Sequence, residues 1–303
     1  MAYSVGVARG TGNGRRTIVV TGASSGIGLA ATEKLLAEGH RVISVGRNPE
    51  KISGLAARLG NEWFVCDFAD FADVARLARD IAAATDHIDV LANNAGAYFS
   101  ARERTVDGHE KTLQVNHLSP SLLTLKLLPC LQRGLGYVVM TSSVAGKAFS
   151  SLDVTDIERT RRSYRPMEAY ADSKLMNAIF ARELSRRFAA HGIFAVSFHP
   201  GVVASSFATT SDGLVGRAYR SRLFRSWLLH PERAAERLTA LANGTVGVDF
   251  VPGGYYSNNQ PVRTHELAYD DGITAAVWNT TLELINDSGD FGIDESMEDV
   301  AAA

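Results

Sequence analysis

Thr17-Ile18-Val19-Val20-Thr21-Gly22-Ala23-Ser24-Ser25-Gly26-Ile27-Gly28 is the stretch that decides the fold. Its first five residues are β-branched and suit a buried, pleated strand. The glycines that follow allow a tight turn and close approach of backbone to a ligand. Beyond them the apolar residues Ile27, Leu29, Ala30, Ala31, Leu35 and Leu36 recur at helical spacing, and Gly39 supplies a helix stop. A strand, a glycine turn and a helix in that order expose free N–H groups at the helix N-terminus, where a dinucleotide pyrophosphate binds. Gly22, Ser24, Ser25, Gly26, Ile27 and Gly28 are therefore the first cofactor-binding candidates.

Outward from this turn, strand-like runs recur at 41–45, 63–66, 88–92, 137–141, 194–198 and 254–257, with helix-sized segments between them. One such segment carries Val74, Leu77, Ala78 and Ile81 at helical spacing. Strands separated by helices imply βαβ crossovers and a parallel sheet covered on both faces. The expected fold is α/β: a single doubly wound Rossmann domain over 17–286. An N-terminal tail (1–16) and an acidic C-terminal tail (287–303) flank it, and neither a linker nor a repeat divides it. The mixed apolar and basic segment 206–230, with Leu223, Phe224, Trp227, Arg220 and Arg222, is expected to form a substrate lid.

Composition narrows the function. The 303 residues carry a formal net charge of −2, which offers no general attraction for nucleic acid or an anionic membrane. Cys66 and Cys130 lack metal-ligand spacing, so neither a disulfide framework nor a metal site is expected, and a reducing cytoplasm suits the chain. The apolar stretch 118–131 is interrupted by Pro120, Lys126 and Pro129, too short and too broken to span a bilayer. No signal-peptide core is present near Met1. A small-molecule substrate is the expected partner, and nothing argues against a homodimer.

Two further positions speak for themselves. An acid that grips the adenosine ribose belongs at the end of the second strand. Gly46 stands there and Arg47 follows, which removes repulsion toward a 2′-phosphate and supplies a guanidinium for it. NADP(H) is therefore expected over NAD(H). Tyr170 and Lys174 lie four apart ahead of Met176, Ile179, Phe180, Leu184 and Phe188, a helical pattern that puts phenol and ammonium on one face.

Thr21-Gly22-x-x-x-Gly26-x-Gly28, Asn93-Asn94-Ala95-Gly96, the strand-end pair Ser142-Ser143 and Tyr170-x-x-x-Lys174, in this order, resemble the short-chain dehydrogenase/reductase family. The resemblance spans 17–286. It is nearest to the retinol-dehydrogenase-like group through Asn116-His117-Leu118, the long segment between Ser143 and Tyr170, His199-Pro200-Gly201 and Gly253-Gly254-Tyr255-Tyr256-Ser257. It implies a catalytic tetrad of Asn116, Ser143, Tyr170 and Lys174, with Ser142 as the competitor for the serine role. Asp67 and Phe68 would border the adenine, and Asn94, Ala95 and Gly96 the middle of the cofactor. Pro200, Gly201, Val203 and Ser205 would line the nicotinamide. His199, beside that turn, is read as a packed strand-end histidine.

By the same resemblance Tyr170 would exchange a proton with the substrate oxygen and Ser143 would hydrogen-bond that oxygen. Lys174 would bind the ribose and lower the tyrosine pKa from its usual ~10. Asn116 would hold a water beside the lysine. Two other readings stay open: a reductase of an imine or activated alkene, and a non-catalytic dinucleotide sensor.

Overall fold

A computed structural model describes residues 14–201 and 230–292. The strands are β1 (Thr17–Thr21), β2 (Arg41–Gly46), β3 (Glu62–Val65), β4 (Val90–Asn93), β5 (Tyr137–Thr141), β6 (Phe194–His199), β7 (Tyr255–Ser257) and β8 (Gln260–Pro261). They form one sheet in the order β3-β2-β1-β4-β5-β6-β7-β8, parallel except for the final β7–β8 pair. The expected doubly wound fold is thus the observed one. Several boundaries shift by a residue or two: the third strand runs 62–65, and Ile88 is a buried lead-in whose N–H bonds Cys130 rather than the sheet.

Alternate residues of the strands build two cores. Val19 is in register with Ile43 and Leu91, and Leu91 with Val138, and all face one side. There they meet α3 (Phe71–Ala84), α5 (Ser119–Lys126), α6 (Leu128–Gly134), α8 (Pro166–Phe188) and α10 (Asp271–Asp287). Val20, Ala92, Val139 and Val196 form the opposing row against α1 (Gly26–Ala37) and α9 (Pro231–Asn243). A sheet apolar on both faces reads as continuous hydrophobic strands, as 17–21 and 137–141 do. Helices α2 (Pro49–Leu59), α4 (Lys111–Leu113) and α7 (Val144–Ala148) complete the set among the described residues.

Between α4 and α5 lies a π turn, Gln114–Leu118, in which one residue more than an α-helix needs is accommodated. Anchoring contacts reach into both expected tails. Arg16 is half-buried: its Nη1 donates to Tyr137 Oη at 2.8 Å and to the Ala242 and Gly244 carbonyls at 2.6 and 2.9 Å. At the other end Phe291 packs edge-on against Phe71, and Lys126 Nζ donates to its carbonyl at 2.7 Å. One aromatic in an acidic run is enough to hold the chain down that far.

Candidate active site

The strand order reverses between β1 and β4, and the turns that follow these strands lie side by side. In such sheets ligands bind at this switch point. A single hydroxyl joins the two turns: Thr21 Oγ1 accepts from the Asn94 and Ala95 N–H groups at 3.0 and 2.9 Å, while Asn94 Nδ2 donates to the Thr21 carbonyl at 2.9 Å. Gly22 and Gly26 adopt φ of +69° and +55°, the left-handed region that glycine enters without penalty. A Cβ on Gly28 would lie 2.2 Å from the Gly22 carbonyl oxygen, so only glycine lets α1 start so close to the turn. Ser25 caps α1 without a side-chain hydrogen bond, and no acidic residue stands in the first turn. That end of α1 is left to attract an anion.

Gly46 closes β2, buried, and a Cβ there would lie 3.1–3.2 Å from Ile52 and Ser24 side-chain atoms. Arg47 follows it, exposed. Asp67 is exposed and accepts from the Ala69 N–H at 3.0 Å through Oδ1. Phe68 is buried, and its carbonyl takes the Ser119 hydroxyl at 2.6 Å.

On the far side of the crevice α8 carries Tyr170 and Lys174. The ammonium lies 5.8 Å from the Tyr170 ring centroid and donates to the Thr141 carbonyl at 3.2 Å. Burial lowers the Lys174 pKa to about 8, leaving the side chain mostly charged at neutrality. A Cβ on Gly96 would stand 3.0 Å from both Lys174 Nζ and Asn116 Oδ1, so the bare glycine leaves the space beside the buried ammonium free of a side chain. Asn116, in the π turn, is wholly buried. Its Oδ1 accepts from the Ala97 N–H at 2.7 Å, and its Nδ2 donates to the Ala97 carbonyl at 2.9 Å and to Ser173 Oγ at 3.2 Å. Asn116 thereby fixes the Asn93–Gly96 turn against α8.

The two serines part company. Ser142 is buried and donates to the Lys174 carbonyl at 2.6 Å, a bolt between β5 and α8. Ser143 is half-buried, and its Oγ accepts from the Ala145 N–H at 3.1 Å as the cap of α7, with its own proton free of that bond. A Cβ on Gly146 would sit 2.9 Å from Leu175 N, so the serine turn can press against α8 only through a glycine. Tyr98 meets Tyr170 edge-on, with centroids 6.0 Å apart. Val144 and Phe149 are 44% and 56% exposed beside the serine turn, an apolar margin for the cleft.

His199 Nδ1 accepts from the Val144 N–H at 3.2 Å, and burial together with Arg237 lowers its pKa to about 4. It is a neutral support for the serine turn, in keeping with the packed reading. Pro200 is buried and Gly201 has φ of +100°. Val203, Ser205 and nearly all of the lid segment 206–230 lie outside the described residues. A cavity of about 350 Å³ lined by Leu241, Gly244, Phe250 and Tyr256 lies near Tyr137, at the opposite end of the sheet from these groups. Among the described residues no His, Cys, Asp or Glu cluster could hold a metal.

Sequence reasoning assigned no role to three residues that the structure ties to these groups: Asn177 and His117, discussed below, and Arg159. Arg159 is 1% exposed and left-handed at φ +53°. It donates to Asp172 Oδ2 through Nε and Nη2 at 3.0 and 2.7 Å and to Glu168 through Nη1 at 2.9 Å. It pins the segment after α7 onto the helix that carries Tyr170. A single arginine in a basic stretch carries no sequence signal of this.

Residues 16–155 match the family model for short chain dehydrogenases. A Streptomyces sp. (strain C5) protein provisionally named daunorubicin C-13 ketoreductase DnrU is 33% identical over 90% of this chain and 93% of its own length. Mouse polyprenol dehydrogenase is 32% identical over 90% of this chain and 85% of its own. A Pseudomonas aeruginosa structure, the RhlG/NADP active-site complex, superposes with a TM-score of 0.62 at 26% identity, covering 79% of this chain and 93% of that one.

Proposed function

Since this chain belongs to the short-chain dehydrogenase/reductase family, within its retinol-dehydrogenase-like subgroup, and is an NAD(P)-dependent oxidoreductase, we propose that it interconverts a carbonyl and an alcohol on a lipophilic small molecule, with NADP(H) as its cofactor. The observation that carries this reading is the meeting of Lys174 and Asn116 at Gly96, with the Tyr170 ring beside the ammonium and the free hydroxyl of Ser143 at the end of neighbouring β5.

The glycine turn, the open end of α1 and the space left beside the ammonium by Gly96 fit a dinucleotide. Gly22, Ser24, Ser25, Gly26, Ile27 and Gly28 would hold its pyrophosphate. Asp67 and Phe68 would border its adenine, and Asn94, Ala95, Gly96, Tyr170 and Lys174 its nicotinamide half. Pro200, Gly201, Val203 and Ser205 would flank the ring. Bound NADPH supplies the hydride. Arg47 favours the 2′-phosphate, and Gly46 cannot be replaced by the ribose-binding acid without pressing on Ile52 and Ser24.

The chain's own groups then divide the work. Ser143 donates to the carbonyl oxygen, where negative charge grows, in a site that stabilises that charge better than water does. Tyr170 Oη gives its proton to the same oxygen. The Lys174 ammonium, 5.8 Å from the ring centroid, would stabilise the negative charge left on the phenol as the proton departs. Asn116 holds the turn whose bare Gly96 leaves room beside the buried ammonium. Val144 and Phe149 support a lipophilic substrate.

The test is a panel of ketones, aldehydes, quinones, imines and enones with NADPH, run on wild type and Tyr170→Phe. Carbonyls should be turned over, and Tyr170→Phe should bind NADPH normally while losing ~10²–10⁴-fold in turnover. Turnover confined to imines or enones, or a Tyr170→Phe variant as fast as wild type, would overturn the reading. NADPH binding without any turnover would leave the sensor alternative standing.

A further inference from the structure

Asn177 lies one turn beyond Lys174 on α8, 2% exposed, and no motif of the sequence singled it out. Its Nδ2 donates to two carbonyls, Asn116 O at 3.0 Å and Thr141 O at 3.1 Å. Thr141 O is also the acceptor for the Lys174 ammonium. With both amide hydrogens committed to carbonyls, Oδ1 must point the other way, and there it meets His117 Nδ1 at 3.1 Å. Oδ1 only accepts, so His117 carries its proton on Nδ1. His117 Nε2 is then an acceptor, 2.9 Å from Thr281 Oγ1 on α10, whose one hydroxyl proton it shares with the Val277 carbonyl at 2.7 Å. His117 is fully buried, and burial lowers its pKa to about 4 with a further push from Lys174, so the neutral ring implied by this pattern is the one the site sustains.

We propose that Asn177, oriented by His117, is a positioning residue for the active site: it satisfies the Asn116 and Thr141 carbonyls so that Lys174 gives one hydrogen bond to the framework and keeps its other N–H groups for cofactor and proton transfer. The inference rests on the functional reading above. Its physical content is competition. Two buried carbonyls deprived of an amide donor turn to the nearest remaining one, because a buried polar group without a partner is costly. That donor is the ammonium. Drawn toward the carbonyls, it is held more firmly in its charged form and moves away from the phenol.

The prediction is therefore signed. Two titratable groups face Lys174: Tyr170 from its own helix and His117 from the π turn. Cofactor binding that needs the ammonium raises the Lys174 pKa in the complex above its free value of about 8. Affinity for NADPH is thus complete below that pH and is lost as pH rises through and beyond it. Removing the Asn177 amide should move this loss to higher pH.

The experiment uses four variants of the full chain: Asn177→Leu, His117→Asn, His117→Gln and Lys174→Met. NADPH affinity is followed between pH 6.5 and 10 by fluorescence of the bound cofactor, and turnover by 9,10-phenanthrenequinone reduction. An asparagine at 117 places its amide near the position of Nδ1 and keeps the donor to Asn177. A glutamine places it near Nε2, filling more of the space but losing that donor. Asn177→Leu and His117→Gln should shift the affinity midpoint upward by at least ~0.5 pH unit and lower turnover about tenfold or more. His117→Asn should rescue both. A purely packing role predicts the reverse order, with glutamine the better substitute.

Equal behaviour of the two His117 variants, or an unmoved midpoint in Asn177→Leu, would overturn the positioning role. Lys174→Met separates that failure from failure of the functional reading. If this variant keeps the wild-type midpoint, Lys174 does not hold the cofactor and the functional reading itself falls.

Discussion

Replacing Arg159 with Met should destabilise the protein by about 3 kcal/mol and loosen the substrate side of the site while sparing cofactor binding. Arg159 and Asp172 are 1% and 3% exposed, and Asp172 sits between Tyr170 and Lys174 on α8. Removing one member of a buried ion pair leaves an uncompensated charge, which typically costs ~3–5 kcal/mol. Asp172 keeps the Ser150 hydroxyl at 2.8 Å, the Ser151 N–H at 2.9 Å and Arg162 at 3.5 Å, which argues for the low end. Met keeps the long apolar stem and the left-handed backbone, so the change isolates the guanidinium. At roughly 2–4 °C per kcal/mol for a chain near this size, Tm should fall by about 6–12 °C. Denaturant unfolding of wild type, Arg159→Met, Asp172→Asn and the double variant completes the cycle. The double variant should be more stable than the summed single losses by at least ~1.5 kcal/mol, because neutralising Asp172 removes the stranded charge. KM for a carbonyl probe should rise while NADPH affinity stays within about twofold, an expectation that follows from where the anchored segment lies. A loss below ~1 kcal/mol, or strict additivity, would refute the reasoning.

Two further outcomes are expected. Arg47→Ala should lower kcat/KM for NADPH about tenfold or more, the value of a charge-assisted hydrogen bond worth ~1.5–3 kcal/mol, and leave NADH nearly unchanged; a wild type with equal kcat/KM for the two cofactors would remove the basis for NADP(H). Gly96→Ala places a methyl group 3.0 Å from Lys174 Nζ, so unfolding free energy should change little while NADPH affinity and kcat both fall, as read by denaturation and steady-state kinetics.

What the sequence shows and what it hides divide along physical lines. The glycine turn is legible because backbone demands at Gly22, Gly26 and Gly28 admit one residue type. The Tyr170–Lys174 pair is legible because four residues on a helix is one face. Ser142 and Ser143 look alike in sequence; only the Lys174 carbonyl, 32 positions from Ser142, separates the bolt from the free hydroxyl. His117 and Asn177 are 60 positions apart, and each alone is an ordinary polar residue inside a helix. Arg159 gains its meaning from two carboxylates on α8. Arg16 and Phe291 show the same limit at the chain ends, where composition argues for solvent and one anchoring contact decides otherwise.

The π turn at Gln114–Leu118 makes chain length, as well as residue identity, a part of this site. A regular α-helix advances ~100° per residue. The extra residue in the turn lets Asn116 reach back to Ala97 while His117, its immediate neighbour, reaches across to Asn177 and Thr281. Deleting one residue from 114–118 would let the segment relax into an ordinary helix joined to α5. Asn116 and His117 would then be swung about a quarter-turn relative to everything before or after them, with both side chains still present in the sequence. A motif search would score such a chain as intact, yet its proton-handling corner would be disassembled. The spacing between Glu110, which caps α4, and Ser119, which docks on Phe68, is in that sense a second signature, written in residue count.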